Sequence, residues 1–179
     1  MFAVNEYVVN GSEGVCMVES VGHPPISGLD NTKEYYTLVP FYRTGKIYAP
    51  GESRVKIRKA LSKDEVQGII NGISDVNTEL EVPKDNKQAQ LYYKEMVMTY
   101  DCSNLIRIIK YVFNKQKEFS TVKKNVPAVD LRYMKIAEDM LYNEFGFALG
   151  IDPRDVRGYI IKCCEWFQRV GNCPFSVLC

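Results

Sequence analysis

The chain has 179 residues, 46% of them hydrophobic, and its 23 Lys and Arg nearly balance 22 Asp and Glu to leave a formal charge of +1. That length suits one large or two small domains with a sizeable core, and near-neutrality excludes polyanion binding driven by overall charge. No run approaches the roughly 20 apolar residues of a membrane span, and Asn5, Glu6 and Glu13 interrupt the start, so a cytoplasmic protein without signal peptide or membrane contact is expected.

The charge is unevenly distributed. Residues 84–135 carry eleven Lys and Arg against five Asp and Glu, a local balance of +6, whereas residues 61–83 and 136–179 are net acidic. Basic character is therefore concentrated in the middle of the chain.

In chain order, residues 2–9 and 15–21 are rich in Val and aromatics and flank Asn10-Gly11-Ser12-Glu13-Gly14. Asn-Gly between two such runs predicts a β-hairpin, with glycine supplying the positive φ that a tight turn needs. Residues 22–28 hold two prolines and two glycines and read as a loop. Strands are predicted over 33–40, 46–49 and 54–58, the second entered through Thr44-Gly45 and closed by Pro50-Gly51. Strands this short and closely spaced, with no helix among them, predict a small antiparallel barrel or sheet over residues 1–60.

The period changes at Ser62. Ser62-Lys63-Asp64-Glu65 is a capping box, and Val66, Ile69, Ile70 and Ile73 follow at helical spacing until Gly72 ends the helix. Residues 75–85 are acidic, contain Pro83 and read as a linker. Helices are predicted over 86–99, 104–119 and 128–149, the last with Leu131, Met134, Ala137, Leu141, Phe145 and Ala148 on one stripe, Pro127 in its first turn and Gly150 at its end. A final helix starts at Asp152-Pro153 and runs towards Phe167. Within the 104–119 helix, Leu105, Ile108, Ile109 and Val112 form an apolar face, and Arg107, Lys110, Asn114 and Lys117 line a second, basic face suited to phosphates. The fold class expected is α+β, a small antiparallel β-barrel over residues 1–60 followed by an all-helical domain over 61–161.

Catalytic chemistry has little to stand on. The single histidine, His23, lies beside two prolines, with no nucleophile pattern near it and no Walker or dinucleotide glycine motif in the chain, so no catalytic residue is expected. Six cysteines are irregularly spaced, with no C-x-x-C, and reduced thiols are expected. Residues 162–179 form a cysteine-rich tail. Cys163-Cys164, Cys173 and Cys179 match no common zinc pattern, so no metal or other cofactor is expected, and Cys164, Trp166 and Phe167 are expected on the buried side of the last helix.

In order and spacing, the blocks FAVNEYVVNGSEGVCMVESV, KEYYTLVP, KIYAPGE and LIRIIKYVF…DLRYMKIAEDMLYNEFGFALGI resemble the CarD family of bacterial transcription regulators over residues 1–161. The resemblance implies an N-terminal Tudor-like barrel that binds the β subunit of RNA polymerase by pairing a strand edge with it. It also implies a helical domain that touches promoter DNA without reading sequence and so alters open-complex stability. On that basis the polymerase-binding residues are expected at Lys46, Ile47 and Tyr48 on the edge strand, with Tyr35 and Tyr36 on the adjoining strand. DNA contacts are expected at Lys94, which lies in YYKEM where the family has a tyrosine followed by a basic residue, and at Arg107 and Lys110. The family's tryptophan wedge has no counterpart between Glu79 and Tyr93; its place falls near Ala89 or Val82. A polymerase-binding protein whose helical half binds another protein is the alternative. A monomer is expected in either case.

Overall fold

In a computed structural model the chain divides into two compact units, Met1–Leu61 and a second that begins at Ser62. The structure describes residues 1–30, 32–51 and 57–170, the side chains of Ser12 and residues 164–170 excepted.

The first unit is a five-stranded antiparallel sheet of β1 (Tyr7–Asn10), β2 (Val15–Gly22), β3 (Tyr35–Pro40), β4 (Ile47–Pro50) and β5 (Ile57–Lys59). Its order is β4-β3-β2-β1-β5: a four-strand meander of β1 to β4, after which β5 returns to pair with β1. The predicted hairpin is formed by β1 and β2 around a 3-10 turn, Gly11–Glu13. Gly11 and Gly14 sit at φ 52° and 78°, the left-handed region where a Cβ is strained. The β-barrel expected over residues 1–60 is not what the described residues form: they make an open sheet. β4 and β5 are its edges and do not pair with each other, so no closed barrel is formed among these residues. Strand alternation puts Val8, Cys16, Val18, Tyr36, Leu38 and Ala49 into one core, against which Phe2, Val21, Ile47 and Ile57 pack.

Among its described residues the second unit contains five α-helices: α1 (Lys63–Asn71), α2 (Asn86–Val97), α3 (Cys102–Thr121), α4 (Ala128–Leu149) and α5 (Pro153–Val170). Local chemistry explains most of their starts. Both bonds of the Ser62–Glu65 capping box are made, Asp85 accepts from Lys87 and Gln88 N–H, and Asp101 accepts from Ser103 N–H. α4 stops at Gly150 in the left-handed region. The turn that follows crosses Gly146 so closely that a Cβ there would lie 3.0 Å from the Ile151 carbonyl oxygen.

The apolar stripe predicted for α4 is rotated in the structure. Ala137, Leu141 and Phe145 are buried, but Leu131 is exposed and the buried first turns belong to Asp130 and Tyr133. Tertiary partners cause this shift: Tyr133 stacks on Tyr93 of α2 at 5.3 Å, and Asp130 meets polar groups from two neighbouring helices. α5 runs without a break through residue 162, so the residues assigned to a tail are helical as far as Val170. Cys173 and Cys179, the side chains of Cys164, Trp166 and Phe167, and residues 54–56 of the predicted fifth strand lie outside the described residues.

Candidate partner-binding edge and basic surface

Ile47 and Tyr48 open β4, an outermost strand of the sheet, and Lys46 immediately precedes it. Its register decides which backbone groups remain open. β4 pairs with β3 as Tyr35↔Pro50, Tyr36↔Ala49, Thr37↔Tyr48 and Leu38↔Ile47, and just beyond it Gly51 N–H donates to the Glu34 carbonyl at 2.9 Å. Hydrogen-bonded and non-bonded pairs alternate along an antiparallel ladder. Counting from Glu34–Gly51, the bonded pairs are Tyr36–Ala49 and Leu38–Ile47, so Tyr48 and Pro50 turn their main-chain groups away from β3. The free edge therefore offers the N–H and C=O of Tyr48 and the C=O of Pro50, which has no N–H to give.

The same alternation sorts the side chains. Ile47 packs against the sheet core, whereas Tyr48 lies half-buried on the opposite face. There it borders a groove of about 410 Å³ lined by Glu19, Thr37, Lys46 and the His23-Pro24-Pro25 loop, among others. Glu19 reaches this groove because β2 bulges: pairing with β3 runs Val18↔Leu38 and then Ser20↔Thr37, leaving Glu19 over. Its carboxylate accepts from Lys46 Nζ at 2.5 Å, and that bond raises the Lys46 pKa. Both side chains are substantially solvent-exposed, so the pair orients Lys46 but adds little stability.

Tyr35 and Tyr36 are placed differently. Both are 6% exposed on β3, an interior strand bonded on both sides. The Tyr35 hydroxyl accepts from Asp30 N–H at 3.2 Å and the Tyr36 hydroxyl from Phe2 N–H at 3.1 Å. Their side chains fix the loop and the N-terminal arm behind the edge. Sequence reasoning missed a second surface, on which Tyr7, Phe41 and Tyr42 are 36%, 50% and 40% exposed and meet edge to face. The run Pro40-Phe41-Tyr42, two aromatics just past a strand end, was its available signal.

In the helical unit, Lys94 is exposed on α2. Arg107 and Lys110 point instead at the chain leaving α1. Arg107 donates from its terminal nitrogen to the Glu79 carbonyl at 3.0 Å, and its Nε is buried without a partner. Lys110 Nζ donates to the carbonyls of Ile73, Ser74 and Val76 at 3.0, 3.2 and 2.8 Å. An ammonium has three donors, so Lys110 has none left for a phosphate. Burial lowers its pKa, opposed by the nearby Asp75 charge. The basic face expected on α3 thus works at these two positions as a clamp on residues 73–79.

A further lysine, half-buried, is also engaged within the fold. Lys115 pairs with Asp130 at 2.6 Å, and the 1%-exposed Asp130 accepts from the Tyr93 hydroxyl as well, at 3.1 Å. Burial, together with Asp130, pushes the Tyr93 phenol upward. This buried pair has both partners in place, the condition under which ionic groups are tolerated in a core. Ala89, near the position of the missing wedge, is 3% exposed. Among the described residues no group of three His, Cys, Asp or Glu is placed to hold a metal, and no helix is long and apolar enough to cross a membrane.

No protein-family model matches the chain, and no curated protein matches its sequence.

Proposed function

We propose that the chain is a non-enzymatic transcription regulator that docks on the β subunit of RNA polymerase through the β4 edge and acts on the promoter open complex. The observation carrying this reading is the open edge at Lys46–Ile47–Tyr48, where the Tyr48 N–H and C=O face outward beside an exposed cation. Backbone pairing at such an edge supplies affinity, and the flanking groove supplies selectivity. The meander with a returning fifth strand is compatible with a Tudor-like unit, as is the resemblance of the blocks that form it. DNA contact by the helical unit follows from the resemblance and from the basic middle segment, with non-specific phosphate binding as its physical basis.

Tyr48→Pro provides a direct test. It removes an outward N–H while leaving the β3–β4 bonds intact, so the sheet should fold and the edge should fail. Affinity for the polymerase β subunit is expected to fall at least about tenfold, the scale of one lost hydrogen bond and its steric consequence. Lys46→Glu should weaken binding less and in a salt-dependent way. Unchanged capture of the β subunit by both variants in a pull-down would remove the edge assignment. The alternative, a helical half that binds another protein, draws support from the engagement of Arg107 and Lys110 within the fold. A polymerase-dependent, salt-sensitive footprint on promoter DNA separates the two.

A further inference from the structure

We propose that the turn after α1 is a cradle for a large monovalent cation, built from the main-chain carbonyls of Ile73, Ser74 and Val76, and that the Lys110 ammonium is its resident ion. The inference is independent of polymerase or DNA binding.

The three oxygens belong to one short turn and converge on a single point, Lys110 Nζ, at 3.0, 3.2 and 2.8 Å. That nitrogen is delivered by α3, from 34 to 37 residues away in sequence, so the turn and its ion are separate parts. Two further features favour positive charge here. The helical run of α1 and the 3-10 turn Ile73–Asp75 ends at this point, where backbone dipoles present their negative end. Burial lowers the Lys110 pKa, and the Asp75 charge opposes that fall. A half-buried ammonium has lost part of its water, and carbonyl oxygens are the groups that replace a hydration shell around a cation.

Dimensions select the class of ion. Calcium takes its oxygens at about 2.3–2.6 Å and magnesium at about 2.0–2.1 Å, and both draw on carboxylate ligands. Neutral carbonyls at the longer distances of this turn suit potassium or ammonium, as the carbonyl rings of potassium-selective filters do. The lysine head belongs to the same class, with three donors for three acceptors. Plain hydrogen bonding to any donor is the rival account, and charge and ion size separate the two.

The test removes the tethered ion and supplies free ones. Lys110→Ala deletes stem and head, leaving room for an ion and its waters, and its stability is measured in urea because guanidinium is itself a cation. At matched ionic strength, potassium or ammonium chloride should raise the folding equilibrium constant of this variant at least about threefold over tetramethylammonium chloride, the gain when an ion stands at about twice its dissociation constant. Wild type, whose cradle is filled, should not distinguish these salts. Hydrogen-exchange protection in the variant should return over residues 73–79 in the same two salts. Lys110→Gln keeps N–H donors without the charge, and should be less stable than wild type and indifferent to the choice of salt. Equal responses of Lys110→Ala to potassium and tetramethylammonium overturn the proposal, since screening alone then explains the recovery. A response to magnesium as large as that to potassium overturns it too, as does a Lys110→Ala chain that stays unfolded in every salt. Wild-type stability in Lys110→Gln shows that neutral hydrogen bonds hold the turn and overturns it whether or not the alanine variant folds.

Discussion

Cys16 shows how much chemistry one position in the sheet core sets. Its side chain is fully buried between β1 and β3, with Sγ 3.6 Å from the Gly14 carbonyl oxygen. Burial first and the Glu13 charge second push its pKa from 9.0 to about 11, against a smaller opposing effect of Arg43. An unfolded chain thus loses this proton near pH 9.0 while the folded chain keeps it to about 11. Over that interval the folded state binds more proton, so this thiol's contribution to stability is constant below pH 9.0 and declines as pH rises towards 11. Denaturant melts between pH 8 and 11 should show a downward slope that Cys16→Ala flattens, and native Cys16 should resist alkylation at pH 8. The buried character of this thiol was not legible in β2, where Val15, Cys16, Met17 and Val18 run apolar without alternation and Val15 is itself buried. Lys110 was not legible, because its partners are main-chain carbonyls, which carry no sequence signature.

Helices and strands here differ in how local their causes are. Ser62, Asp85 and Asp101 cap their helices with bonds that reach at most three residues ahead, and such signals survive in sequence. The α4 face did not, because Asp130 is drawn inward by Lys115 and Tyr93, which lie 15 and 37 residues away. The Lys110 clamp has an element-scale consequence. The three carbonyls it collects close the 3-10 turn Ile73–Asp75, where a helical run ends with unsatisfied acceptors. Lys110→Met keeps the stem and removes the donors, and should cost about 1–3 kcal/mol in chemical denaturation. Hydrogen exchange should increase over residues 73–79, whereas DNA affinity should be unaltered, separating this lysine from Lys94.

For the whole molecule, element types and order were readable from hydrophobic period and turn residues, and so was the change from strand to helix near Ser62. Strand order was not readable from period alone, although it decides that β4 is an edge. The site residues divide by the same logic: the main chain of Tyr48 is open because β4 has one neighbour, while Tyr35 and Tyr36 lie on a strand bonded on both sides because β3 has two. Pro50 extends this to behaviour in solution. An edge strand that recruits one guest is also a hazard, since two copies can pair their edges and continue into fibres. Pro50 presents an acceptor and no donor at the end of the open row, and the charged Lys46 stands at the other end. A ladder begun at Tyr48 therefore terminates within a few residues, too short to hold two copies together yet sufficient for a guest that also fills the groove. The chain should sediment as a monomer at high concentration, and Pro50→Thr with Lys46→Thr should shift it towards dimers and turbidity. If the edge takes a partner strand as proposed, the proline limits how far a second copy of the chain could pair with it.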